Sequence, residues 1–302
     1  MTTAPTTRAP EQLGTAKADP RHRRSTSRGK ERPNYLAGLT SVLWLLIVVV
    51  PIYWIVITSF KSQSRYYLEN PFAPPSEPTL VNYRLVIESD FVQYFINSVI
   101  VTIGAVVPAV AVSFMAAYAI VRSGGRNRLL RWTNSLFLMG LAIPLQATII
   151  PVYLIIIQLG LYDSLMAMIL PSIAFAIPLS VLVLSNFIRD VPKDLFESMR
   201  IDGATERGML WRLAFPLARP AVVTVTIYNA LHIWNGFLLP LVLTQSPDKR
   251  VLPLALWSFQ EEYSINVPAV LASVVLTTLP ILVLYVVGRR QLLSGLTAGF
   301  SK

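Results

Sequence analysis

The residues best placed to do chemistry lie between Arg189 and Pro220, where Glu197, Asp202, Gly203, Ala204 and Glu206 fall close together. The chemistry they offer is recognition rather than bond-making. The chain has no cysteine, so disulfides, thiolate nucleophiles and cysteine-held zinc are excluded, and histidine occurs only at His22 and His232. No catalytic residue and no metal ligand set is expected. A G-x-x-x-x-G-K-[ST] phosphate loop is also missing. Gly29-Lys30 lacks both the earlier glycine and the following hydroxyl, so the chain cannot hydrolyse ATP by itself.

The segment 189–219 reads as two short helices joined by a bend. Pro192 suits a first helical turn, and Asp194 with Glu197 has a spacing like a capping box. Gly203 suits the left-handed cap that ends the first helix. Thr205 suits the cap of the second, with Glu206 at its positive end. Met209, Leu210 and Leu213 then share one face, and Pro216 is expected to stop the helix. The residues alone fit two uses equally: docking onto a partner, or lying on lipid headgroups held by arginines.

The elements that must position this segment are long and apolar. Of the 302 residues, 54% are hydrophobic and only 14% are charged, against about 25% charged in an ordinary soluble domain. Six apolar stretches follow a polar, arginine-rich tail: 36–60, 94–121, 132–157, 164–188, about 220–243 and 269–288. Each reaches the roughly 20 residues that a helix needs to cross a bilayer. Backbone groups in lipid must bond within the segment, so these are expected to be helices. A barrel would instead alternate polar and apolar residues. The expected fold class is all-α: a polytopic membrane protein with six transmembrane helices spanning 36–302, preceded by a disordered basic tail at 1–35.

Eight prolines fall in these spans: Pro51, Pro108, Pro144, Pro151, Pro171, Pro178, Pro240 and Pro280. They fit both ordinary kinks and hinges of a transport cycle.

Six spans place both ends of the chain on one side. That side holds 21 lysines and arginines and the other holds 5, out of 26 in all. The positive-inside rule therefore puts both termini in the cytoplasm of a multi-pass cell-membrane protein. The net charge of +10 divides into +13 inside and −3 outside, so no nucleic acid is needed to explain it. Two longer segments face outward, 61–93 and 244–268.

The spans hold few polar side chains: Asn97, Gln146, Asn186, Asn229, His232 and Asn235. Each fits an interhelical hydrogen bond worth about 1 kcal/mol or less, and each also fits the lining of a solute pathway. Asn97, Trp234 and Asn235 are the pathway candidates. An ion-coupled carrier normally needs buried ionisable groups, and no carboxylate lies in any span.

Glu197-Ser198-Met199, then three residues, Gly203, nine residues and Leu213-Ala214-Phe215-Pro216 resembles the EAA loop of ABC-transporter permeases, E-A-A-x3-G-x9-I-x-L-P. Ser198 and Met199 replace the two alanines, and Leu213 and Phe215 are apolar replacements. The resemblance covers nearly the whole chain after the tail. Tyr94 to Ser98 is similar to the Y-x-x-N-S opening of the second span in carbohydrate-type importers. Ala116 to Ala119, and the stretch from Pro144 to Pro151, resemble further positions. Trp234-Asn235-Gly236-Phe237 resembles W-N-E-F, with glycine for glutamate. Gly295 to Gly299 matches G-L-T-A-G at the end of the second permease of maltose-type pairs.

The resemblance implies the type I ABC importer permease fold and a sugar importer built from two permeases, a cytoplasmic ATPase dimer and an extracytoplasmic solute-binding protein. Glu197, Asp202, Gly203 and Ala204 would meet the ATPase, with Met209 and Leu213 as apolar anchors and Pro216 closing the motif. ATP and its magnesium ion would belong to the ATPase, and this chain would need no cofactor. Segment 244–268 would reach toward the binding protein, and Gly295 to Lys302 toward the ATPases. In such pairs the sugar is held mainly by the other permease.

Overall fold

A computed structural model describes residues 35–255 and 266–298. The basic tail, Gln260-Glu261-Glu262-Tyr263 and the last residue of the G-L-T-A-G motif lie outside the described residues. All regular structure among the described residues is helical. The described residues divide into two units, one up to Val49 and one from Val50.

Helix α1, Tyr35–Ser59, begins in the first unit. Its residues there are exposed and largely apolar, including Leu39, Trp44 and Ile47. Thr40 and Ser41 donate their hydroxyls to the carbonyls of Leu36 and Ala37, at 3.0 and 2.8 Å. Back-bonding of this kind satisfies hydroxyls that have no partner on a neighbouring helix.

In the second unit, α2 (Gln63–Tyr66) and α3 (Val81–Glu88) follow the end of α1. Buried Asn82 of α3 donates to the carbonyls of Ser59 and Lys61 at 2.8 and 2.7 Å, fixing that end. The core is built on α4, Phe91–Arg122. Ala105, Ala109, Ser113 and Ala117 recur every fourth residue and are all fully buried. A stripe of small residues lets two membrane helices approach closely, and α7 takes that place. Val101 and Ala105 pack on Met168 and Ile169, and Phe114 and Ala117 on Leu184 and Ile188.

Between these two helices lie α5 (Arg128–Gly140) and α6 (Leu145–Gln158), followed by α7 itself (Leu165–Arg189). The third apolar stretch, 132–157, is expected as one span, but α5 and α6 meet at a bend of 111°. Pro144 supplies the reason. It disfavours helical backbone at Ile143 and sits in extended conformation as the N-cap of α6. The other in-span prolines lie inside helices.

After α7 come α8 (Lys193–Ile201) and α9 (Glu206–Met209), a π-helical turn at Leu210–Ala214, and α10 (Phe215–Trp234). The expected fifth span, 220–243, is corrected at both ends. Helix runs on from Glu206 to Trp234, then breaks at 235–237 before the short α11, Leu238–Leu243. A 3-10 turn at Pro247–Lys249 and α12 (Leu252–Ala255) precede α13, Val267–Ala298. Among the described residues four helices are long and apolar enough to cross a membrane, or five if the bent pair counts as one; α13 holds a shorter apolar run, Val267–Val283.

Asp163, in the turn between α6 and α7, ties that turn to the end of α11. It adopts φ 60°, accepts the backbone N–H groups of Gln245 and Ser246 at 2.8 and 2.9 Å, and accepts the Ser246 hydroxyl. The Ser246 hydroxyl, then the two N–H groups, hold its carboxyl below the usual aspartate range. A depressed folded-state pKa adds stability that is complete above the unfolded value, about 3.9, and is lost as pH falls through the folded one. Asp163→Asn is therefore expected to lower the melting temperature at pH 7, with the gap from the parent closing below about pH 4. Thermal melts across pH check this.

Candidate functional site

The helix–turn–helix at 193–214 is closed by three local bonds. Gly203 has φ +80°, a backbone that side chains disfavour. Its N–H donates to Arg200 O at 3.1 Å, and Ala204 N–H donates to Met199 O at 2.9 Å. These two bonds form a Schellman motif and satisfy carbonyls at the end of α8. Thr205 then caps α9 by accepting Gly208 N–H at 3.2 Å. The N-cap of α8 is Pro192, which makes no side-chain bond, so Asp194 sits inside the first turn and closes no capping box. Its charge there still suits the helix dipole.

Pro216 does not stop the second helix. The π turn before it carries a Phe215 N–H to Leu210 O bond, and Pro216 falls in the first turn of α10, where its missing N–H does least harm.

One face of this hairpin is exposed. Glu197, Asp202 and Gly203 are exposed, and the acidic side chains of Glu197 and Asp202 pair with nothing among the described residues. Ile201 beside them is 86% exposed, and Leu195 is also exposed. Ala204 is half-buried. The other face is turned into the chain's own core. Met209 is 1% exposed and packs with Phe114, Ala117 and Tyr118, and Leu213 packs on the same cluster. Met209 and Leu213, expected as apolar anchors, thus pack into the cluster that holds the hairpin to α4.

Sequence reading missed the polar brace behind the hairpin. Glu206 accepts the Tyr118 hydroxyl at 2.7 Å, pairs with Arg200, and lies 3.9 Å from Arg122. The Arg122 guanidinium sits 4.5 Å above the buried ring of Phe196. One carboxylate therefore ties the end of α4 to both arms of the hairpin. Aromatic contacts of Phe114 with Trp211 and Phe215 extend the seam. The only trace in the sequence is the run of Tyr118, Arg122 and Phe196 near span ends.

The three pathway candidates separate. Asn97 is 2% exposed; its amide donates to the carbonyls of Asp248 and Arg250, both at 2.8 Å, and accepts from Gln93 at 3.0 Å. It clamps the loop after α11, with both amide N–H groups committed. Trp234 is buried against Phe95 and donates to Thr277 O at 3.4 Å. Asn235 is exposed at the break after α10, with its amide on Leu231 O at 2.8 Å. Asn229 donates to Ser180 at 2.8 Å, joining α10 to α7 as an interhelical bond. Asn97→Leu should leave two carbonyls without donors and cost about 2–3 kcal/mol. A lower melting temperature and faster tryptic cleavage after Lys249 and Arg250 would register the loss.

Long apolar helices packed on small residues, with an exposed hairpin braced to the end of one of them, define a class of helical membrane protein. The chain belongs to the family described as the binding-protein-dependent transport system inner membrane component, which it matches over residues 109–292. It is 39% identical over 261 residues to the putative ABC transporter permease protein ORF2 of Caldicellulosiruptor sp. (strain Rt8B.4), covering 86% of this chain and 94% of that one. It is 33% identical over 261 residues to the diacetylchitobiose uptake system permease protein NgcG of Streptomyces coelicolor, covering 85% of each. In three dimensions it resembles a chain of a bacterial ABC transporter that imports the acidic polysaccharide alginate, with TM-score 0.75 and 22% identity, over 85% of this chain and 95% of that chain. That likeness supports the type I importer permease fold.

Proposed function

We propose that this chain is one of two permease subunits of an ATP-driven sugar importer fed by a solute-binding protein. The observation that carries the reading is the hairpin itself: Ile201, Asp202 and Gly203 stand exposed at its turn while Glu206, Met209 and Leu213 bind its back to the membrane core. A segment built this way transmits force from a partner to α4. The partner is an ATPase dimer, because the chain has no phosphate loop of its own. ATP and its magnesium ion reside there, and Glu197, Asp202, Gly203 and Ala204 form the contact. The sugar assignment is supported by relatives such as the diacetylchitobiose permease.

In this reading the membrane domain, 36–302, crosses six times: α1, α4, the bent α5–α6 pair, α7, the helix Glu206–Trp234, and α13. Both termini are cytoplasmic, supported by the 21 to 5 division of basic residues. Segment 244–268 faces the binding protein, and Asn235 is the remaining candidate of this chain for the solute pathway.

Reconstitution in liposomes tests the proposal. Labelled oligosaccharide should accumulate only when the second permease, the ATPase, the binding protein and ATP are all present. Uptake by this chain alone, driven by an ion gradient, would replace the proposal with a self-sufficient carrier.

A further inference from the structure

A cavity of about 310 Å³ lies where α4 and α7 end and α5 begins, and no residue of the hairpin lines it. Arg131 and Arg189 line it with Asn134, Ile120 and Leu130. Its electrostatics are one-sided. Neither arginine has a carboxylate partner among the described residues, although Asp190 adjoins Arg189 in sequence, and no acidic residue lines the cavity.

The donors are in excess too. The hydroxyls of Ser123 and Ser135 at its edge are already committed to the carbonyls of Ile120 and Arg131. The two guanidinium groups and the Asn134 amide have no acceptor among the described residues. Helix dipoles account for only one of the arginines. Arg189 ends α7, where a cation is favourable, but Arg131 lies near the start of α5, where it is not. The α5 N-terminus is already capped by Asn127, which accepts from Leu129 and Leu130, so the helix end itself needs no anion. Two unpaired guanidinium groups lining one cavity match a phosphate group.

We propose that this cavity binds the phosphate of an anionic phospholipid headgroup. A lipid is favoured over a free anion for two reasons. The cavity sits at the ends of two membrane helices, and Ile120 and Leu130 give it apolar walls beside the exposed Leu129, Trp132 and Leu136 of α5. Basic pockets between membrane helices hold headgroups in this way. The site needs only that α4 and α7 end at a membrane surface, so it stands or falls independently of the sugar and the ATPase.

The test is lipid retention by the purified full-length chain. Native mass spectrometry would follow titration with phosphatidylglycerol, with phosphatidylcholine as the neutral comparison. One phosphatidylglycerol should bind in preference. Arg131→Gln with Arg189→Gln should weaken it about 30-fold. Arg126→Gln with Arg128→Gln removes the same amount of charge at the start of α5 without touching the cavity lining, and should leave binding nearly unchanged. Asn134→Asp, which keeps both arginines but adds a carboxylate, should also expel the lipid and guards against misfolding of the double variant. Equal weakening in both double variants would reduce the effect to diffuse surface charge and overturn the site. Displacement of the lipid by millimolar inorganic phosphate would assign the cavity to a soluble anion and overturn the lipid assignment.

Discussion

Gly203→Pro is expected to abolish association with the ATPase while leaving membrane insertion intact. Gly203 holds φ +80° and donates its N–H to Arg200 O. Proline fixes φ near −65° and has no N–H, so it removes one Schellman bond and forbids the backbone that makes the other. Glu197, Asp202 and Ile201 would then no longer share one exposed face. Gly203→Ala separates conformation from space. Nothing lies within 4 Å of an added Cβ, so alanine meets only the left-handed strain of about 1–2 kcal/mol. It should weaken association modestly, where proline eliminates it. Co-purification of each variant with the ATPase measures both, and normal association of the proline variant would contradict the docking role.

Glu206→Ala is expected to leave the docking face in place and cut sugar transported per ATP by tenfold or more. The ranking of its partners follows from exposure. Arg200 and Glu206 are 61% and 55% exposed as side chains, so their pair contributes roughly 1 kcal/mol at most. The 2.7 Å bond from buried Tyr118 is charge-assisted, a class worth about 1.5–3 kcal/mol. Arg122 has a buried Nε without a partner and would lose its nearby carboxylate as well. Tyr118→Phe should therefore reproduce most of the uncoupling, and Arg200→Ala little of it. Equal effects of the two, measured as transport against ATP turnover, would remove Glu206 from its place as the link between α4 and the hairpin.

Local features were legible in the residues. The bend at Gly203 and the Thr205 cap depend on bonds spanning three to five residues, and both stand as read. Features set by distant partners were not. Tyr118 and Glu206 are 88 positions apart, so their bond has no signature in spacing. Asn97 reads as an interhelical bond or a pathway residue, and nothing in its spacing points to Asp248 and Arg250, whose carbonyls occupy its amide. Hydropathy also sums over a window without direction, so it cannot register the 111° turn inside the third apolar stretch. Pro216 misleads for a related reason: a π turn upstream changes what a proline does to a helix, and no residue type announces one.

In the assembled transporter the ATPase is expected to contact the exposed turn of this hairpin. The chain contains no cysteine, so a single engineered thiol can report on it. With Ile201→Cys, a thiol-directed crosslinker is predicted to join this chain to the ATPase in the assembled transporter, in a yield that changes with ATP. Trp44→Cys on α1 should give no such product. A fully assembled, transporting complex in which Ile201→Cys never crosslinks to the ATPase would show that the turn is not the contact.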